Sequence, residues 1–133
     1  MAIRVLGVDN SLFGVGDFDE ARAFYEGKLG LPVKFAVEAM GIVGYRRGGE
    51  EAGLFLRVQA SIAPTPARET PRVWLEVADA REAAEHLAQL GIAPLREPFE
   101  INTGWVVEFA DPWGNVIGLT DYVSDPAKAR PQS

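Results

Sequence analysis

The chain has 133 residues, 47% of them apolar, and a net charge of −6. That length fits one domain, and that apolar share can build a core and argues against disorder. No run of about 18 apolar residues could span a membrane. The first residues lack a secretory leader pattern, and an acidic chain with scattered Lys and Arg disfavours nucleic acid or anionic lipid as a partner. With no cysteine there is no disulfide, thiolate metal site or thiol nucleophile, and the expected location is cytoplasmic.

Extended residues 8–15 open the chain. A helix follows from Asp17, which is trailed three residues later by Glu20, a capping-box-like start with an acid in the first turn. Ala21, Phe24, Tyr25 and Leu29 fall at helical spacing, and Leu29-Gly30 supplies a left-handed stop. Three extended runs are then expected, at 33–39, 41–46 and 54–59, with Gly48-Gly49-Glu50 as a turn. The doublet Arg46-Arg47 reads as part of that hairpin loop.

The same order then repeats. An extended run at 73–77 leads to Asp79, with Glu82 three residues on; Ala83, Ala84, Leu87 and Leu90 form the apolar stripe, and Leu90-Gly91 ends the helix. Extended runs at 93–100, 105–109 and 116–122 complete the copy, with a turn at Asp111-Pro112-Trp113-Gly114-Asn115. Module one therefore covers about 5–60 and module two about 71–122. Residues 61–70 carry Pro64 and Pro66, with Pro71 just beyond, and read as a stiff linker; residues 124–133 read as a loose tail.

Val15-Gly16-Asp17, Phe24-Tyr25, Leu29-Gly30 and Asp111-Pro112-Trp113-Gly114-Asn115-Val116-Ile117, in this order, resemble the vicinal oxygen chelate superfamily, which includes glyoxalases, bleomycin resistance proteins and extradiol dioxygenases. The resemblance runs from about Val5 to Tyr122. It implies an α+β glyoxalase-like fold of two βαβββ modules forming a partly closed barrel or cup, and usually a homodimer, which would cover exposed sheet edges.

The resemblance also implies where a divalent metal would be held. One His is expected seven residues before each helix-capping Asp; those positions are Asn10 and Arg72. A Glu is expected three residues after the Asn of the turn motif, where Gly118 stands. The fourth region reads Leu54, Phe55, Leu56, Arg57, Val58. Asn10 could offer an oxygen to a hard cation, but Arg has no acceptor and stays charged. Neither a metal nor another cofactor is therefore expected. The single histidine, His86, lies mid-helix beside Glu85 and Gln89 and reads as a solvated surface residue rather than a general base.

Alternation along strands groups Asn10 with Leu12 and Gly14, Arg72 with Trp74 and Glu76, and Val116 with Gly118 and Thr120. The candidate ligand-binding residues are thus Asn10, Arg72, Trp74, Glu76, Gly118 and Thr120. Trp105 joins them, with Val107 and Phe109 as further apolar lining. Arg72 has two readings: an internal ion pair with Glu76, or a grip on a ligand carboxylate or phosphate. Gly118 either leaves room for a ligand or marks a bulge or close approach. Trp113 covers a rim or seam, or packs on its own turn. Three functions remain open: a metal-independent small-molecule binder that sequesters its ligand, a glyoxalase-like lyase, isomerase or dioxygenase with an atypical or absent metal site, and a dimeric interaction module.

Overall fold

The computed structural model describes residues 4, 6, 9–46, 52–59 and 72–131. The chain divides into two compact units, Met1–Ala63 and Pro64–Ser133. The expected linker and the Gly48-Gly49-Glu50 turn lie outside the described residues.

Unit one contains β1 (Asn10–Val15), α1 (Phe18–Arg22), β2 (Val33–Val37), β3 (Ile42–Tyr45) and β4 (Gly53–Val58). Unit two contains β5 (Arg72–Glu76), α2 (Ala80–Gln89), β6 (Phe99–Ile101), β7 (Gly104–Ala110) and β8 (Val116–Thr120). Each unit is one four-stranded mixed sheet, ordered β1-β4-β3-β2 and β5-β8-β7-β6. In both, the first strand pairs parallel with the last, and the other pairs are antiparallel. The repeat read from sequence is therefore a repeat of topology.

Both helices start as their sequences dictate. The Asp17 carboxylate accepts from the Glu20 N–H at 2.8 Å, and the Asp79 carboxylate from the Glu82 N–H at 3.0 Å. The α1 turns continue as π-helix over Ala23–Lys28, with the Leu29 N–H donating to the Phe24 carbonyl at 3.0 Å. Gly30 and Gly91, at φ 72° and 84°, take the left-handed conformation that ends each helix.

In unit one the buried side chains of Phe13, Val15, Val43, Tyr45, Leu54 and Leu56 meet Ala21, Phe24 and Tyr25 of the helical segment. Tyr25 stacks on Tyr45 at 6.0 Å between ring centroids. In unit two Val107, Phe109, Ile117 and Leu119 form the buried row under α2, which contributes Ala80, Ala84 and Leu87. Residues of the opposite parity on each strand point away from the helix.

One expected strand is much shorter than the sequence suggested. Within the run 93–100 regular strand begins only at Phe99; the chain bends at Leu95-Arg96, and the Leu95 N–H donates to the Glu108 carbonyl of β7 at 2.8 Å. Pro94 and Pro98 lack the N–H that a continuous ladder needs, so the regular strand starts only beyond them. The tail, expected to be loose, is tied to unit two over residues 124–131. The Ser124 N–H donates to the Thr103 carbonyl at 3.1 Å, a short 3-10 turn spans Pro126–Lys128, and Arg130 reaches Glu76.

A fully buried carboxylate organises unit two. Asp121 accepts from the Ala80 N–H at the start of α2 at 2.7 Å and from the Trp105 N–H on β7 at 2.8 Å. Asp121→Ala leaves the buried Ala80 N–H and the part-buried Trp105 N–H unmet and should cost about 2–3 kcal/mol, read as a lower urea midpoint with an unchanged slope.

In unit one, Arg22 donates to both Glu26 oxygens, at 2.6 and 3.0 Å, and the Tyr45 hydroxyl donates to the same carboxylate at 2.8 Å. The Arg22 hydrogen bonds, and then that of Tyr45, hold Glu26 below its ordinary value of 4.5 against the opposing effect of burial. Burial and the Glu26 contact push the Tyr45 hydroxyl up, so it stays a neutral donor. A carboxylate depressed in the folded state stabilises the fold above its ordinary value, and that contribution disappears as pH falls through the folded-state value. Melting temperature should therefore fall below about pH 4.5, and the Glu26→Gln variant should show a shallower fall across that window. Equal slopes would exclude the network as the cause.

Candidate ligand-binding site

The ladder pairs on unit two set the site. Arg72 lies opposite Val116, Trp74 opposite Gly118 and Glu76 opposite Thr120. Glu108 on β7 lies opposite Gly118 from the other side, and Val106 opposite Thr120. Phe99 pairs with Val106 on the edge strand. Paired residues share a face, so Arg72, Trp74, Glu76, Glu108, Gly118, Thr120 and Phe99 stand together on the side away from α2.

Glu108 is the centre of this face, only 6% exposed. It accepts from Arg72 NH1 at 2.9 and 3.0 Å, and from Trp74 Nε1 at 3.0 Å. The indole lies over Gly118. A Cβ there would collide with Trp74 Cδ1 and stand 2.7 Å from Nε1. Gly118 is thus the space that lets the tryptophan cross the strand and reach the carboxylate. Trp74 also meets Phe99 edge-on at 6.5 Å, and the Arg96 guanidinium lies 4.0 Å from the Phe99 ring centre.

The Arg72–Glu76 ion pair considered from sequence is replaced by two other pairs. Four residues along one strand separate side chains by roughly 13 Å, whereas Glu108 sits one strand beyond Gly118 and within reach of Arg72. Glu76 instead accepts from Arg130, at 2.9 Å from its backbone N–H and 2.8 Å from NH1.

One expected site residue faces the other way. Trp105 is on the α2 side, where the Arg81 guanidinium lies 4.3 Å from its ring centre, and Val107 and Phe109 share its parity. Asn10 belongs to unit one, at the start of β1, where its Nδ2 donates to Asp9 at 2.7 Å. The corresponding face of unit one carries Phe35 and Phe55, edge-to-face at 5.0 Å over Gly44. Trp113 is half-buried in its turn, where the Asp111 carboxylate accepts from the Trp113 and Asn115 N–H groups at 2.9 and 2.8 Å. His86 is exposed and borders an open groove with Asp79 and Glu82.

Glu108 and Asp121 were missed by sequence reasoning. A lone acid inside the apolar run 105–110 was the available signal for Glu108. Asp121 gave none, because its partner Ala80 lies 41 residues away.

The residues do not fit a resident metal. Arg72 carries a positive charge already directed at Glu108, Gly118 has no side chain and is roofed by an indole, and β4 directs Gly53, Phe55 and Arg57 away from the helix. Among the described residues no three His, Cys, Asp or Glu side chains cluster as ligands.

The architecture defines a class, and comparison with known proteins identifies it. Solved structures of the same fold include a glyoxalase family protein from Bacillus anthracis (TM-score 0.69, 19% identity, 92% of this chain and 99% of that one). A glyoxalase/dioxygenase from Nostoc punctiforme superposes with TM-score 0.70 at 18% identity, over 92% and 99% of the two chains. A lactoylglutathione lyase from Agrobacterium tumefaciens gives 0.66 at 19%, over 88% and 94%. No curated protein matches. The family model of the Glyoxalase/Bleomycin resistance protein/Dioxygenase superfamily matches residues 7–119, and the chain belongs to that superfamily. Among the described residues no helix is long and apolar enough to cross a membrane.

The close approach of Trp74 to Gly118 is directly testable. Gly118→Ala should displace the indole, red-shift tryptophan emission and cost about 1–3 kcal/mol, as overpacking does. Unchanged emission would show that the ring does not depend on the glycine.

Proposed function

We propose that this protein is a metal-independent small-molecule-binding member of the superfamily, which holds and sequesters a largely apolar, planar ligand against the Trp74 face of unit two. The observation that carries this reading is the fate of two expected ligand positions. Arg72 is committed to Glu108, and Gly118 is given over to Trp74. What would have been a cation-binding corner is instead an aromatic platform. Trp74 is 42% exposed although its Nε1 is hydrogen-bonded, so its outer ring surface is available for stacking while its orientation is fixed. Thr120 and Glu76 supply polar groups beside it, the usual composition of a small-molecule site.

In this reading Glu108 and Arg72 are positioning residues. The pair orients the indole, and Arg72 does not serve mainly as an anion grip. We further propose a homodimer, because edge strand β2 carries Val33 and Val37 at 42% and 39% exposure, an apolar edge that a second copy would cover.

A thermal-shift screen of planar aromatic compounds should give hits on the wild type that are lost or weakened about tenfold or more in Trp74→Ala, since stacking on an aromatic platform contributes on the order of 1–3 kcal/mol. Hits unaffected by Trp74→Ala would overturn the site. Elemental analysis of protein purified without chelator should find substoichiometric metal; one equivalent of zinc, nickel, manganese or iron would overturn metal independence. Light scattering should give a mass near twice 14.4 kDa.

A further inference from the structure

We propose that the Glu76 carboxylate is a subsite for an organic cation (a guanidinium, amidinium or ammonium group on the ligand) and that Arg130 of the C-terminal tail is a built-in competitor for it. The proposal rests on the reading of the Trp74 face as the binding surface and adds the charge class of what binds there.

The chain itself shows what this carboxylate accepts. Arg130 meets Glu76 twice, through its backbone N–H to Oε2 at 2.9 Å and through NH1 to Oε1 at 2.8 Å. One residue thereby engages both oxygens of the carboxylate. The Glu76 side chain is only 14% exposed, whereas that of Arg130 is 67% exposed. The acceptor is thus built into the face at the end of β5, and the donor is a surface group brought to it by the tail. A carboxylate that withdrawn from water needs a donor partner, and a charged donor makes a stronger hydrogen bond than a neutral one.

The surroundings favour a cation borne on an aromatic body. Trp74 stands two residues before Glu76 on the same face, roughly 7 Å along the strand. Phe99 shares the row of Glu76 through Val106 and Thr120, and it already holds the Arg96 guanidinium against its ring. Arg72, the cation on the same strand, lies two further positions back and is paired with Glu108. The net charge of −6 also draws cations toward the protein.

The strap is weak enough to be displaced. The Arg130 guanidinium is 67% exposed and so exchanges readily with water, and removing it while its backbone N–H stays should raise the apparent affinity for a competing cation by only about two- to fivefold. Added salt screens the same contact.

The test uses two probes of matched shape, benzylguanidinium and neutral benzylurea, titrated into full-length protein and followed by amide chemical shifts. The wild type should prefer benzylguanidinium. Arg130→Ala should bind benzylguanidinium two- to fivefold more tightly and leave benzylurea unchanged. The double variant Arg130→Ala/Glu76→Gln should bind the two probes alike. Equal affinities for the two probes in Arg130→Ala would overturn the cation subsite while leaving the aromatic face standing. Benzylguanidinium affinity unaltered by Arg130→Ala would overturn the competition. Binding of neither probe to any variant would overturn the face and the subsite together.

Discussion

A carboxylate almost wholly withdrawn from water must find donors, because an unmet buried charge costs several kcal/mol. Glu108 finds two, and the face away from α2 is arranged around that need. Arg72 has to lean across β8 to reach it. The indole of Trp74 has to lie down over the same strand to point its N–H at it, and the strand has to be bare at Gly118 for the ring to pass. Each of these residues has an alternative use in isolation. Together they leave one geometry in which the Glu108 oxygens and the Trp74 N–H are both met and an aromatic surface remains outward.

The two units show how far one topology can diverge without changing its ladder. Strand order, pairing sense and helix caps agree between them. The faces away from the helices do not. In unit one the glycine lies on β3 at Gly44, with the aromatic Phe55 beside it on β4. In unit two the glycine lies on β8 at Gly118, with the acid Glu108 beside it on β7. Both solutions let a ring cross a strand where a Cβ would block it. Among the described residues only unit two adds a fully buried or nearly buried charge, and with it hydrogen-bonding specificity.

What could be read from sequence follows from how local each signal is. Asp17 and Asp79 were legible as caps because the N–H groups they accept lie three residues away. The strands were legible where apolar alternation is uninterrupted, and β6 was overextended because Pro94 and Pro98 interrupt the ladder and the chain bends at Leu95-Arg96. The grouping of Arg72, Trp74 and Glu76 needed only strand parity. Which strand parity on β7 faces them depends on pairing across the Asp111–Asn115 turn, where Glu108 falls opposite Gly118. Without that register Trp105 looked like a wall of the site and Glu108 went unnoticed. The Glu76–Arg130 pair joins residues 54 apart, which no local pattern encodes.

Asp121 gives unit two a further property. Its buried side chain ties the first N–H of α2 and the Trp105 N–H near the start of β7 to the residue that follows β8. Secondary elements of a small module commonly open one at a time, from the least protected inward. Here α2 cannot lift from its end, nor β7 from its start, without stripping the same buried charge of a donor. The ends that would ordinarily fray first are coupled, so the amides of α2, β7 and β8 are expected to exchange with solvent as one cooperative unit, and the platform they support to be present or absent as a whole.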